Sequence, residues 1–159
     1  MLLGTMAQFF LNKKCCWHTA THHLEKDGKL ITLDHDVFDP EKLNGAAAGI
    51  YSNVDDLAQW MLVQLNEGHY GDSLQKTLFS EDNQHEMWSI HTSLHADSDE
   101  RYRSHFAGVG LGWFLTDING TMQVSHTGGM AGMLSKTIMI PDMDLGVVVL
   151  TNTWMGGAG

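Results

Sequence analysis

Residues 121–151 read TMQVSHTGGMAGMLSKTIMIPDMDLGVVVLT, and the fold follows from how that stretch divides. Three apolar, strand-like runs are broken first by His-Thr-Gly-Gly at 126–129 and then by Pro141-Asp142-Met143-Asp144. Residues 134–140 and 145–151 pair over the second break as a hairpin. Just upstream, runs 111–117 and 121–126 are joined through Asn119-Gly120, a strong short-range hairpin signal. Val147 to Leu150 is apolar without interruption, which predicts a strand covered on both faces. The tetrapeptide itself reads as a polar turn whose glycines allow backbone N–H groups to approach a ligand.

The same logic extends upstream. Asp27-Gly28 separates runs 21–25 and 29–33 and predicts another hairpin. Residues 34–48, polar and then small, suggest an extended loop. Ser52 opens the clearest helix, with Asp55 as its capping-box acid. Val54, Leu57, Ala58, Met61, Leu62 and Leu65 then form one apolar stripe, with Gly68 as the C-cap. The stripe predicts burial against a core rather than a partner-binding face. Residues 74–79 read as a connector. Ser80 caps a second, shorter helix with Glu81 and Asp82 in its first turn and Met87, Trp88 and Ile90 on its buried side. Residues 91–107 lack any period and read as a charged surface loop. The expected class is therefore α+β: an antiparallel meander flanked by helices on one side and incomplete at its end.

Composition narrows the function. The chain has 159 residues, 43% of them hydrophobic, enough for one domain with a core. Nineteen acidic against nine basic side chains give a formal net charge of −10, and no basic cluster interrupts it. A nucleic-acid partner is therefore not expected. Ten histidines make that charge responsive to pH, since an unperturbed imidazole titrates near about 6.5. Cys15 and Cys16 are adjacent and have no third cysteine to pair with, so neither a disulfide framework nor a zinc pattern is implied. No run is long enough to span a membrane. Residues 1–20 show no period and lack the basic-then-apolar order of a signal peptide, and they stay unassigned. The compartment, periplasmic or cytoplasmic, is left open, as is the oligomeric state.

Four segments resemble the serine β-lactamase-like superfamily of penicillin-recognising transpeptidases, class C β-lactamases, and related esterases and D-amino-acid peptidases. They are HLEKDGKLITL, AAAGIYSNVDDLAQWMLVQLNEG, GLGWFL and VSHTGGMAGMLSKTIMIPDMDLGVVVLTN, in the family's order across most of residues 21–152. The resemblance implies an incomplete β-lactamase/transpeptidase-like domain, with residues 21–159 as its C-terminal portion. It also implies a Ser-x-x-Lys nucleophile, a Tyr-x-Asn or Ser-x-Asn proton-transfer motif, and a Lys-Thr-Gly or His-x-Gly motif on the strand lining the cleft. His126-Thr127-Gly128 matches the last.

The chemistry of that motif has its own physical reasons. Acyl transfer needs hydrogen-bond donors aimed at the developing oxyanion. A Gly-Gly step lets the backbone come close enough, so the Gly129 N–H is the oxyanion candidate, paired in the family with the N–H of the nucleophilic serine. Thr127 offers its hydroxyl to a substrate carboxylate or carbonyl. His126 can donate a hydrogen bond or change charge near neutral pH, as lysine would not. Met130 is a candidate for the apolar wall of an acyl pocket. His126 and Gly129 are thus the catalytic candidates, and Thr127, Gly128 and Met130 the substrate-binding ones. No cofactor or metal is expected.

The chain also contains Ser73-Leu74-Gln75-Lys76 and Tyr51-Ser52-Asn53, which imitate the other two motifs. Their order is reversed relative to the family, Ser73 sits in a polar connector, and Ser52 is already spent as a helix cap. Both are rejected, which places the nucleophile upstream of residue 1. The expected function is a fragment of a serine hydrolase acting on a small ester, amide, peptide or β-lactam. A histidine in place of lysine favours the esterase or peptidase branch. A non-catalytic binding module with the same fold is the alternative. A metal protein built on His22-His23 or His91-x-x-x-His95 ranks below both, because no further ligand recurs at a matching interval.

Overall fold

The structure, a computed structural model, describes residues 19–33, 50, 52–97, 99–130 and 132–154. Readings that fall on residues 1–18, 34–49 and Tyr51 lie outside that set. The first hairpin pairs β1 (His23–Lys26) with β2 (Lys29–Thr32). Its turn has positive φ at both centres, Asp27 (53°) and Gly28 (73°), the primed geometry that matches strand twist.

The apolar stripe becomes α1 (Val54–Leu65), shifted from its expected register. Its cap is Asn53 rather than Ser52: the Asn53 side chain accepts from the Asp56 N–H at 2.9 Å and donates to the Asp56 carboxylate at 3.0 Å. Asparagine caps as well as serine does, so the start moves one residue along. The buried face moves with it, taking in Met61 and Gln64 and leaving Val54 and Leu62 exposed. The C-cap is Asn66, not Gly68. Glu67 takes the left-handed conformation (φ 53°), its N–H reaching Gln64 O at 3.2 Å, while the Gly68 N–H reaches Val63 O at 2.8 Å. Those two bonds form a Schellman motif with glycine one place beyond its usual position.

The expected connector carries a two-stranded ribbon, β3 (His69–Tyr70) with β4 (Lys76–Thr77). Next comes α2 (Glu81–Met87), capped by Ser80 as read from the sequence. Gln84 of α2 is buried and donates to Gln64 O of α1, joining the two helices through one polar contact.

A six-stranded antiparallel meander follows: β5 (Thr92–Leu94), β6 (Ala107–Val109), β7 (Phe114–Ile118), β8 (Thr121–Met130), β9 (Met133–Ile140) and β10 (Leu145–Thr151). The α+β class stands. Two expectations are corrected here. Residues 91–107 are not all loop, since β5 forms the far edge of the sheet and β6 starts at Ala107. A three-residue strand is too short to show a period, which is why the sequence hid it. His-Thr-Gly-Gly is also not a turn: it continues β8, and the reversal falls after Met130. Glycine is poor in strands by propensity but is tolerated where another backbone or a ligand approaches.

The core is one lateral row across four strands. Leu115 faces Val124, Val124 faces Met139, and Met139 faces Gly146. The first three side chains are at most 1% exposed. Met61 of α1 sits over Gly146, its Sδ 3.2 Å from where a Cβ would stand, and the missing side chain admits the helix. Trp113 is buried beside them. On the other sheet face Phe114, Leu145, Val147 and Val149 are exposed among the described residues. The unbroken apolar run of β10 is therefore covered on one face only among the described residues, because α1 lies against alternate positions.

At the far end of β7, Asp117 is buried and gathers four donors. The His105 N–H (2.6 Å) and Phe106 N–H (3.0 Å) reach Oδ1, while His105 Nδ1 (2.7 Å) and the Gly120 N–H (3.2 Å) reach Oδ2. Foremost the His105 side chain, then these backbone donors, hold the Asp117 carboxyl well below the usual carboxylate range against the opposing pull of desolvation.

Candidate functional site

The residues singled out from the sequence lie in the second half of β8. The register fixes what its backbone presents. Met130 and Met133 close a two-residue turn and so form a hydrogen-bonded pair, and alternation makes Gly128 with Ser135 and His126 with Thr137 the next two. Gly129, opposite Leu134, and Thr127, opposite Lys136, are the intervening pairs, whose N–H and C=O groups point away from β9. On that other side lies β7, which begins only at Phe114, paired with Ser125. Among the described residues, the edge of β8 beyond Ser125 has no partner strand. The N–H groups of Thr127 and Gly129 therefore point along that edge without a ladder partner among the described residues, and His126 to Gly129 are all exposed.

His126 shapes that edge electrostatically. Its Nδ1 lies 2.6 Å from the Thr127 carbonyl oxygen, so Nδ1 carries a proton and donates, and in the neutral ring Nε2 holds the lone pair. The bond occupies one outward carbonyl and leaves the outward N–H groups as the dominant feature. Phe114 lies against the imidazole with ring centroids 5.8 Å apart. On the β9 side, the Thr137 hydroxyl donates to His126 O at 3.4 Å. Gly128 is backed by Ser135, whose hydroxyl occupies the space a Cβ at Gly128 would need. Met130 is half-buried at the strand's end.

All five residues singled out from the sequence thus share one strand segment. Ser135, Phe114 and Trp154 also touch it and were not foreseen. Their contacts come from cross-strand register and chain return, which no local spacing encodes. The rejected imitations lie elsewhere. Ser73 is exposed in the turn after β3, its backbone N–H held by Gln75 Oε1 at 3.0 Å, and the Lys76 ammonium stands 5.8 Å above the Tyr70 ring. Ser52 lies exposed before α1, its hydroxyl donating to Asn53 O at 3.4 Å. Of the histidines, His91 Nε2 contacts the Glu86 carbonyl at 3.0 Å, and His23 Nδ1 contacts Asn152 O at 3.2 Å. A shallow cleft of about 310 Å³ lined by His69, Thr77, Ser80, Glu81 and Asp82 holds none of the five site residues. Among the described residues no helix is long and apolar enough to cross a membrane.

Residues 12–158 match the family described as Beta-lactamase. Among solved structures the chain is similar to an octameric penicillin-binding protein homologue from Pyrococcus abyssi, with a TM-score of 0.67 and 21% sequence identity. The match covers 87% of this chain and 28% of that one, and at this identity the likeness is one of fold. No curated protein matches.

Proposed function

The chain belongs to the Beta-lactamase family, and from that membership we propose that it forms the cleft wall of a serine hydrolase working through an acyl-enzyme. The observation that carries the proposal is the outward Gly129 N–H on the edge of β8 that has no partner strand among the described residues. A serine Oγ attacking a carbonyl carbon pushes negative charge onto the carbonyl oxygen. A fixed N–H aimed at that oxygen stabilises the tetrahedral intermediate, and one such donor is worth on the order of 10²–10³ in rate. The intermediate collapses with loss of the alcohol or amine, and water then cleaves the acyl ester.

In this reading Gly129 supplies one oxyanion donor, and the nucleophilic serine's own N–H supplies the second. Thr127 binds a substrate carboxylate or carbonyl, Gly128 keeps the strand flat enough for close approach, and Met130 borders the acyl group. His126, with Nε2 available, serves substrate polar groups or proton transfer. A histidine here favours small esters or D-amino-acid peptides over β-lactams. Ser73 does not serve as the nucleophile in this reading, because it sits in the turn after β3 rather than at the start of a helix, with Lys76 in the following strand. No other Ser-x-x-Lys occurs in the sequence, so the nucleophile and its lysine come from sequence other than these residues. Residues 21–159 are accordingly the C-terminal portion of a catalytic domain.

The test is titration of the ¹⁵N-labelled full chain with N-acetyl-D-alanyl-D-alanine, alongside nitrocefin and p-nitrophenyl ester assays. Amide shifts concentrated at His126 to Met130 with turnover at background are expected. Shifts confined to another surface would sink the assignment of this wall. Ester turnover abolished by Ser73→Ala would return the nucleophile to Ser73.

A further inference from the structure

Trp154 lies three residues past β10 and returns onto the candidate site. A Cβ built on Gly129 would stand 3.4 Å from Trp154 Cζ3 and 3.5 Å from Cη2, with Leu134 Cδ2 at 3.6 Å. The six-membered ring of the indole therefore rests against the Gly129 α-carbon. The contact is anchored at the backbone. The Trp154 N–H donates to His23 O at 3.1 Å, and the His23 N–H donates to Asn152 O at 3.0 Å. The Asn152 side chain donates to Thr21 O at 2.9 Å. The same hairpin reaches the β8–β9 turn: the His23 N–H also points at Gly132 O at 3.4 Å, and a Cβ at Gly132 would lie only 2.8 Å from the His23 nitrogen. Gly132, at φ 79°, is glycine for that close approach as well as for the turn.

Glycine needs such a clamp. Without a side chain Gly129 has the widest backbone freedom of any residue, and on the β7 side no ladder bond among the described residues fixes its peptide plane. A donor that swings loses the preorganisation on which oxyanion stabilisation depends. We propose that Trp154 is a positioning residue: its indole, held through the β1–β2 hairpin, clamps the Gly129 peptide so that its N–H points at one place. Trp154 stays 42% exposed, so the clamp also presents an aromatic side chain beside the donor. The inference rests on the wall assignment above for its consequence in ligand binding, and on geometry alone for the clamp.

Two measurements separate those layers. In the full-length labelled chain, the ¹⁵N order parameter of Gly129 is expected near the rigid value of about 0.85 and to fall below about 0.6 in Trp154→Ala, while the Val124 and Met139 amides stay rigid. Trp154→Phe, which keeps a ring, restores most of it. Binding of N-acetyl-D-alanyl-D-alanine is expected to weaken about tenfold in Trp154→Ala and less in Trp154→Phe, a tenfold change being about 1.4 kcal/mol. A rigid Gly129 in Trp154→Ala, or loss of order spread equally through Val124 and Met139, overturns the clamp whether or not the peptide binds. If the unmutated chain fails to bind the peptide at His126 to Met130, the wall assignment fails while the order parameters still judge the clamp.

Discussion

The two halves of β8 make a natural experiment within one strand. In the first half, Val124 is flanked by Leu115 and Met139 and lost to solvent, and the adjoining β7 end buries Asp117 under four donors. In the second half, four residues in succession are exposed and the backbone on one side has no ladder partner among the described residues. From Val124 to Met130 the strand pairs with β9 in one continuous register that crosses both halves. The difference is on the β7 side, where the partner strand starts at Phe114 and leaves the edge from Thr127 onward open. One half supplies buried core contacts; the other leaves side chains and one backbone edge exposed among the described residues, as binding segments on loops and strand ends commonly do.

That contrast is easiest to break at Met139, which is fully buried in the lateral core row. Met139→Ala is expected to cost about 2–5 kcal/mol by urea unfolding, because the row cannot collapse around the cavity. A cost as small as a surface substitution would show that the row does not carry the fold.

Asp117 tests the same half through pH. Its native pKa is depressed, so its stabilisation is present above the unfolded carboxylate value of about 3.9 and is lost as pH falls through the still lower native value. Asp117→Asn should therefore unfold more readily than the parent at pH 7, and the gap should narrow below about pH 4. A gap that stays constant down to pH 2 would mean that the carboxylate's ionisation is not what matters.

In the open half the expected stability effects are small. His126→Ala and Thr127→Val, both at exposed positions, should shift unfolding by no more than about 0.5 kcal/mol while removing the amide shifts caused by N-acetyl-D-alanyl-D-alanine. A large loss of stability from either substitution would erase the distinction between the halves.

The closed half was more legible in the sequence than the open one, for physical reasons. Asn119-Gly120 and Asp27-Gly28 announce hairpins because two successive positive φ values demand such residues, and both turns took that form. Helix α2 began where Ser80 and its acids put it. At α1 two adjacent residues could both cap, and local chemistry alone could not choose between Ser52 and Asn53. His-Thr-Gly-Gly read as a turn because glycine pairs usually are turns, and only the partner strand β9 reveals it as strand. The five candidate residues form a contiguous motif that can be read locally, whereas the contacts of Trp154 and Asp117 come from chain returns that leave no local trace.

The strap between the first hairpin and the end of β10 bears on the order in which the molecule assembles. Every strand pair in the meander joins neighbours in sequence, so each closes a short loop. The His23–Asn152 contact spans 129 positions, and loop-closure entropy penalises it before it is repaid. The meander is thus the part able to form early, and the clamp on Gly129 the part that waits for both ends of the chain. A nascent chain that has not yet emitted Trp154 would hold the sheet with the site still slack.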